Sequence, residues 1–365
     1  MTAVFFAFRD SPQRRRALAA APGSPERYAL SALDQLLARG FSVGHNLESR
    51  GAPPRWAALA GGSLKWGLER AGGYGGDFAT VFASLRRANR ADVVLSTVDT
   101  VGIPLMLLGR AGCLRPPLVY VAIGLPERLA RLRSERMRRL YTSALGSCAA
   151  VIAYSKFEAD ELRGSLDRRG FATRVEFVPF GVDAASFTPV RGPAALDIVS
   201  VGADPHRDFA LLLQVAARMP RVSFLIVTSA DHARHLSGLP DNVVVETDIP
   251  FEAMRRRLGE ARAVALPVRE NSYSGATTVL LQAMALGKPV VAFLHDEAVR
   301  RTEEAVGGEV PVVSARAETL REVLRPLVAD AARRRELGAA SRAYVEHVHD
   351  LERITDRLLA LYARL

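Results

Sequence analysis

Cysteine is almost missing from this chain of 365 residues: there are two, Cys113 and Cys148. Two thiols cannot build a disulfide framework, and they lack the close spacing of a thiolate metal site. Lysine is as scarce, occurring only at positions 65, 156 and 288, so arginine carries the net charge of +10. An arginine-rich surface favours anionic partners, such as phosphates or an acidic membrane. Aromatic residues are only 7% of the chain and do not interleave with the basic ones, which argues against nucleic acid. No apolar run approaches the roughly 20 residues that a bilayer span requires. The first residues, Met1–Phe8, reach Arg9 too soon to read as a signal peptide, so the expectation is a soluble, cytoplasmic protein. The seven histidines show no ligand spacing, and no Asp-x-Asp follows a suitable strand, so no metal is expected. Neither Phe8 nor Val201 is followed by Gly-x-Gly-x-x-Gly, which excludes an ordinary dinucleotide-dependent dehydrogenase.

What is present is a repeating α/β pattern. Hydrophobic residues make up 49% and charged residues 24%, the balance of a globular chain long enough for two domains. Short β-branched runs such as Val4–Phe8, Asp92–Ser96, Pro117–Ala122 and Ala150–Tyr154 alternate with helical periodicity, as over Glu26–Arg39 and Phe78–Arg90. After Gly192 the pattern restarts with Asp197–Val201, Ser223–Thr228, Asn242–Glu246, Ala263–Pro267, Pro289–Phe293 and Glu309–Val313. Strands joined by crossover helices predict two Rossmann-like domains with parallel sheets. The turn-rich stretch Gly181–Pro193 reads as the linker, giving domains 1–185 and 193–345 and a C-terminal helix, 346–365, that packs back toward the first domain. The glycine-rich stretch Gly61–Gly76 reads as a loop that selects a ligand.

The most informative segment runs from Glu270-Asn-Ser-Tyr-Ser-Gly-Ala-Thr-Thr to Gln282-Ala-Met-Ala-Leu-Gly-Lys-Pro-Val. It follows a strand ending at Pro267 and opens a helix near Gly275, which Gly287 ends. Unpaired amides at a helix start, aided by its dipole, suit a diphosphate. Ser274, Thr277 and Thr278 add hydroxyls, and Gly275 permits close approach. A Ser/Thr-capped helix with no ligand explains the same residues, and capping alone does not decide between them.

This stretch resembles the signature of the family 4 glycosyltransferases of the GT-B fold, in which Glu, seven residues and a second Glu precede Ala-Met-Ala-x-Gly-x-Pro-Val. Here Ser274 stands in the first acidic position and Gln282 in the second. The same resemblance covers Ala21-Pro-Gly-Ser-Pro-Glu-Arg, Val151-Ile-Ala-Tyr-Ser-Lys-Phe-Glu and Val178-Pro-Phe-Gly-Val-Asp-Ala-Ala-Ser-Phe. It implies a retaining, metal-independent hexosyltransferase that uses a nucleotide-diphosphate sugar, UDP-sugar foremost, and needs no cofactor. It implies further that Gly202, Gly275, Ala276, Thr277 and Thr278 surround the sugar and phosphates, that Gln282 meets the ribose, and that Glu270 supplies the charge Ser274 lacks. Arg207, in a loop and contributing little to packing, would hold the diphosphate, with Gly23 beside the reaction centre. Where the family carries a His after the strand Leu118–Ala122, this chain reads Ile123-Gly-Leu-Pro-Glu, which makes Glu127 a candidate for the reacting sugars or, equally, a solvent-facing acid that begins the next helix. The arginine-rich Arg128–Arg139 segment reads as one basic helix, suited to a solvated face or, as the alternative, to peripheral membrane contact. A catalytically inactive scaffold or a nucleotide-sugar epimerase are the other readings, and the acceptor is not legible.

Overall fold

The computed structural model describes residues 2–48, 51–190, 192, 194–204, 206–269, 276–293, 313–315 and 320–365. They form two compact units, Met1–Pro179 with Ile354–Leu365, and Phe180–Arg353.

The first unit is a six-stranded sheet of β1 (Ala3–Ala7), β2 (Ser42–His45), β3 (Val93–Ser96), β4 (Leu118–Ala122), β5 (Ala150–Ala153) and β6 (Arg174–Phe177). All pairs are parallel, in the order β2-β1-β3-β4-β5-β6. β3, β4 and β5 are buried along their whole length, which is why they read as continuous apolar runs rather than alternating ones. Alternate residues face two cores. Phe5, Val94, Tyr120 and Val151 meet the helices Phe78–Ala88, Asp99–Arg110 and Lys156–Asp167. Phe6, Leu95, Val121 and Ile152 meet Leu33–Ala38 and the last helix, Leu351–Tyr362. Ile354, Leu358 and Leu361 of that helix are buried on this face. Each such aliphatic side chain contributes roughly 1.5–3 kcal/mol by its removal from water.

The second unit repeats the plan with β7 (Leu196–Val201), β8 (Phe224–Thr228), β9 (Val243–Thr247), β10 (Ala261–Pro267), β11 (Val290–Phe293) and β12 (Val313–Ala315). Its order is β12-β11-β10-β7-β8-β9, again parallel throughout. The strand order reverses between β7 and β10, and the crevice beyond the carboxyl ends of such a pair is where open α/β sheets take ligands. Helices Phe209–Ala217 and Leu320–Ala329 cover one face, Phe251–Glu260 and Thr277–Ala285 the other.

Four sequence expectations shift. The linker does not stand free. Val182 donates to the His349 carbonyl at 2.8 Å and accepts from the Leu351 amide at 3.0 Å, while Phe187 enters the second core. The first unit therefore ends at Pro179, not 185, and regains the chain at Ile354, not 346. Glu26–Arg39 is not one helix: a 3₁₀ turn, Pro25–Leu30, stops at Ser31, whose φ of 56° breaks it before Leu33–Ala38. Gly61 and Gly62 lie inside a helix, Arg55–Arg70, and not in a loop. A Cβ at Gly61 would sit 2.8 Å from Ala79 Cα, so this glycine permits a close helix crossing. Finally, Arg128–Arg139 divides into Leu125–Arg131 and Glu135–Leu145, because Leu132 leaves the helix and Ser134 caps the next one.

Candidate functional site

β7 ends at Val201, and Gly202 turns the chain toward helix Phe209–Ala217. Asp204 organises the turn, its carboxylate accepting from the His206 amide at 3.1 Å and its carbonyl from the Arg207 amide at 3.1 Å. The loop is stitched to the strand beside it: the Asp208 amide donates to Pro267 O at 3.1 Å, and the Arg269 amide to His206 O at 2.7 Å. Asp208 then caps the helix by accepting from the Leu211 amide at 3.2 Å. The carboxyl ends of β7 and β10, the strands where the order reverses, are thereby locked together.

Arg207 is the centre of this lock. Only 2% of the residue is exposed, and its Nε lies 2.8 Å from Asp204 Oδ2. Gly202 makes room for it, since a Cβ there would lie 2.7 Å from Arg207 Cζ. The expectation of a lightly packed loop arginine is thus corrected. The loop folds over a cation, and a buried cation needs its pair. The space above Gly202, read as a place for the ligand, is filled by that side chain. Asp204 orients Arg207, while Asp208 pairs with Arg269 at 3.7 Å. Arg269, with 58% of its side chain exposed, is a cation at the same sheet edge that sequence reasoning passed over. Its position just beyond β10, after Pro267 and Val268, is the signal that marks it.

Helix Thr277–Ala285 opens with Ala276 as its N-cap and has no side-chain cap. Its first amides therefore lack the partner that a capping serine or threonine would supply. Thr277 is buried with Oγ1 unpartnered among the described residues, and Gln282, 1% exposed, has Nε2 in the same condition. An unsatisfied buried donor costs about 1–3 kcal/mol, so two on one helix mark a place for a ligand's oxygens or for ordered water. Thr278 is half-buried beside them. Glu270, Ser274 and Gly275 lie outside the described residues. Replacing the Gln282 amide by an apolar group separates ligand contact from packing. Gln282→Leu is expected to stabilise the ligand-free protein by about 1 kcal/mol and to weaken nucleotide binding about fivefold. Melting curves and calorimetric titration check both; unchanged affinity removes Gln282 from the site.

The remaining two candidates belong to the first unit. Gly23 occupies a left-handed turn (φ 80°) in the loop between Pro12–Ala19 and Pro25–Leu30, open enough that a Cβ would meet nothing within 4 Å. Glu127 lies in the first turn of Leu125–Arg131 and pairs with Arg131 one turn on. The buried acids at this sheet edge are two others, Asp99 and Glu158. Asp99 accepts from Tyr120 Oη at 2.6 Å, the Ile123 amide at 3.2 Å and Arg128 Nε at 3.0 Å. Burial still holds its carboxyl above the usual range, against those three donors. Glu158 accepts from the Gly124 amide at 2.6 Å, and burial, with Asp99 nearby, pushes its pKa up to about 7. Together they hold the turn after β4 that presents Glu127. The signal in the sequence was Ser155-x-x-Glu158, a capping-box spacing, in which Ser155 Oγ does accept from the Glu158 amide at 3.1 Å.

This chain matches two family models in succession. Residues 25–186 match the one described as Glycosyltransferase Family 4, and residues 196–331 the one described as Glycosyl transferases group 1. The chain belongs to family 4 of the glycosyltransferases. Its fold is accordingly GT-B, with two Rossmann-like units. Sucrose-phosphate synthase of Thermosynechococcus elongatus aligns over 100% of this chain and 99% of its own, with a TM-score of 0.68 and 18% identity. HepE of Anabaena, solved with UDP-glucose, aligns over 100% of both chains with a TM-score of 0.68 and 15% identity. A curated relative, the GDP-mannose-dependent monoacylated alpha-(1-6)-phosphatidylinositol monomannoside mannosyltransferase of Corynebacterium glutamicum, is 31% identical over 153 residues. That match spans 40% of this chain and 40% of the relative. No helix among the described residues of this family 4 chain is long and apolar enough to cross a membrane.

Proposed function

We propose that this chain transfers a hexosyl group from a nucleoside-diphosphate sugar to an acceptor hydroxyl, with retention, and without a metal or other cofactor. The observation that carries the reading is the pair of unpartnered buried atoms, Thr277 Oγ1 and Gln282 Nε2, on a helix whose amino end carries no side-chain cap. Amides at that end would accept the diphosphate, Gln282 would meet the ribose, and Arg207 would oppose the charge that develops on the leaving nucleoside diphosphate. Gly23 and Glu127 would serve the sugar from the first unit, and Glu270, Ser274 and Gly275 would complete the donor contacts. The family gives retention its support. HepE, solved with UDP-glucose, and the GDP-mannose-dependent relative make both UDP- and GDP-sugars the donors to test first.

The test is a panel of UDP-, GDP- and dTDP-sugars, read by thermal shift and by release of the nucleoside diphosphate. A ligand at 100 times its Kd raises stability by about 2.7 kcal/mol, so a cognate donor stands out, and a panel without any shift ends the proposal. Transfer is expected to continue in EDTA at its full rate. Activity abolished by chelator and restored by magnesium or manganese overturns the metal-independent part.

One observation favours a second reading. Arg207 is sealed against Asp204, and Ser274 and Gln282 stand where the family carries acids. A chain so altered can bind a nucleotide sugar without turning it over. In that case the melting temperature rises with donor while no nucleoside diphosphate is released.

A further inference from the structure

Helix Arg55–Arg70 buries only Ala57 and Gly61 of its 16 residues. These lie on the side that crosses Phe78–Ala88, close to Ala79. The other side carries large apolar groups in the open: Trp56 is 60% exposed, Leu59 73% and Trp66 65%, while Leu64, 40% exposed, lies toward the buried side. Among the described residues, nine large hydrophobic side chains are exposed, and four of them are on this one helix. At about 100° per residue, Trp56, Leu59 and Trp66 fall within one arc of roughly a quarter turn and form a stripe, outward at Leu59 and Trp66 and bordered at Trp56 by the Phe82 ring, 6.4 Å away. Scattered exposed hydrophobes need no explanation, whereas a contiguous stripe of this size marks an interaction surface.

The charge around the stripe is predominantly positive. Arg55, Lys65 and Arg70 outnumber Glu69 on the helix, and Arg70 lies over the Trp66 ring at 5.7 Å. Beyond its C-terminal end the chain docks on the arginine-rich segment: the Tyr74 amide donates to Tyr141 Oη at 2.8 Å, and Arg128 stacks 4.7 Å from the Tyr74 ring. That segment, Leu125–Arg139, holds six arginines against two glutamates, and Arg131, Arg133, Arg136 and Arg139 are exposed. A tryptophan- and leucine-bearing face rimmed by arginine is the pattern of a helix that lies in the membrane interface, where indole rings sit at headgroup depth. A protein partner's hot-spot core, by contrast, is depleted of charge.

We propose that this face docks on an anionic lipid bilayer, with Trp56, Leu59 and Trp66 entering the interface and the exposed arginines meeting the headgroups. The basic segment, open in the sequence to a solvated face or a membrane contact, is then the rim, and the helix before it the insertion element. The inference is independent of the transfer reaction.

Both tryptophans of the chain lie on this helix, so intrinsic emission reports on it directly. The full chain is titrated with vesicles of phosphatidylcholine alone and of phosphatidylcholine with phosphatidylglycerol, including lipid brominated along the acyl chain. The expected result is a blue shift and bromine quenching with the anionic vesicles, weakened by salt. Leu59→Glu, at an exposed position that leaves folding intact, lowers partitioning roughly tenfold or more. Arg133→Glu with Arg136→Glu abolishes the preference for the anionic lipid. Emission unchanged with every vesicle up to millimolar lipid overturns the proposal. So does a blue shift that appears without lipid as protein concentration rises and sediments as a dimer, since a second copy then covers the face.

Discussion

Arg207→Ala should lose on two fronts, and the two are measured separately. Removing one partner of a buried pair leaves a void and an unneutralised carboxylate, at up to 3–5 kcal/mol where both charges are sealed. Asp204 keeps 22% of its side chain exposed and can be rehydrated, so the expected destabilisation is about 2–3 kcal/mol, read by denaturant unfolding. If Arg207 also opposes the leaving diphosphate, kcat of the folded fraction falls by a further two to three orders of magnitude, about 3–4 kcal/mol in barrier. Gly202→Ala should imitate the variant in both readouts, because its Cβ displaces the same guanidinium. Arg269→Ala supplies the contrast. An exposed arginine 3.7 Å from its carboxylate contributes little to stability, so a large kcat effect there with none at Arg207 would transfer the diphosphate role to Arg269 and leave Arg207 as the lock of the loop.

The α/β architecture was legible because buried parallel strands cannot hide: β4, Leu-Val-Tyr-Val-Ala, and β8, Phe-Leu-Ile-Val-Thr, are apolar on both faces. The signature around Gln282 placed the helix to within two residues of its start, since Ala276 is its N-cap. What escaped was whatever depends on partners distant in sequence. Nothing local announces that Arg207 is folded inward against Val268 after β10, or that Asp99 meets Tyr120 and Arg128 across 21 and 29 positions. Gly61 misled for the opposite reason. Glycine usually signals a turn, but here it admits another helix, and the periodicity of its neighbours was the better guide. Arg128–Arg139 likewise read as one helix because its arginines fit helical spacing; Ser134, an ordinary capping residue inside it, was the sign of the break. Electrostatic depth is the least legible quantity. Glu127, the acid chosen from its place in the motif, bonds to a neighbour on its own helix, while Glu158, 34 positions beyond the Gly124 amide it accepts from, holds the turn.

Glu158 should make the protein less stable as the solution turns from acid to neutral, the reverse of the usual carboxylate. Its pKa rises from the ordinary 4.5 to about 7 in the folded chain, because burial outweighs the hydrogen bonds from Gly124 and Ser155. The folded state therefore holds a proton that the unfolded chain releases. The stabilisation this provides is complete below pH 4.5 and lost as pH climbs through about 7. At about 1.4 kcal/mol per unit, the contribution is about 3 kcal/mol. Glu158→Gln keeps an acceptor for the Gly124 amide and has nothing to ionise, so it should lack this decline. Unfolding free energies of the two proteins, measured from pH 4.5 to 8, are then expected to diverge by about 3 kcal/mol in favour of the variant at the alkaline end. Titrating groups that do not couple to Glu158 affect both proteins alike and cancel in the difference; Asp99, which raises the Glu158 pKa, is the one coupled neighbour. Parallel curves would mean that water reaches Glu158 and that the turn after β4 is held by its shape rather than by a protonated acid. If the divergence appears, the same turn presents Glu127 on a support that loosens near neutrality. Turnover by the wild type should then fall off above pH 7 sooner than turnover by Glu158→Gln.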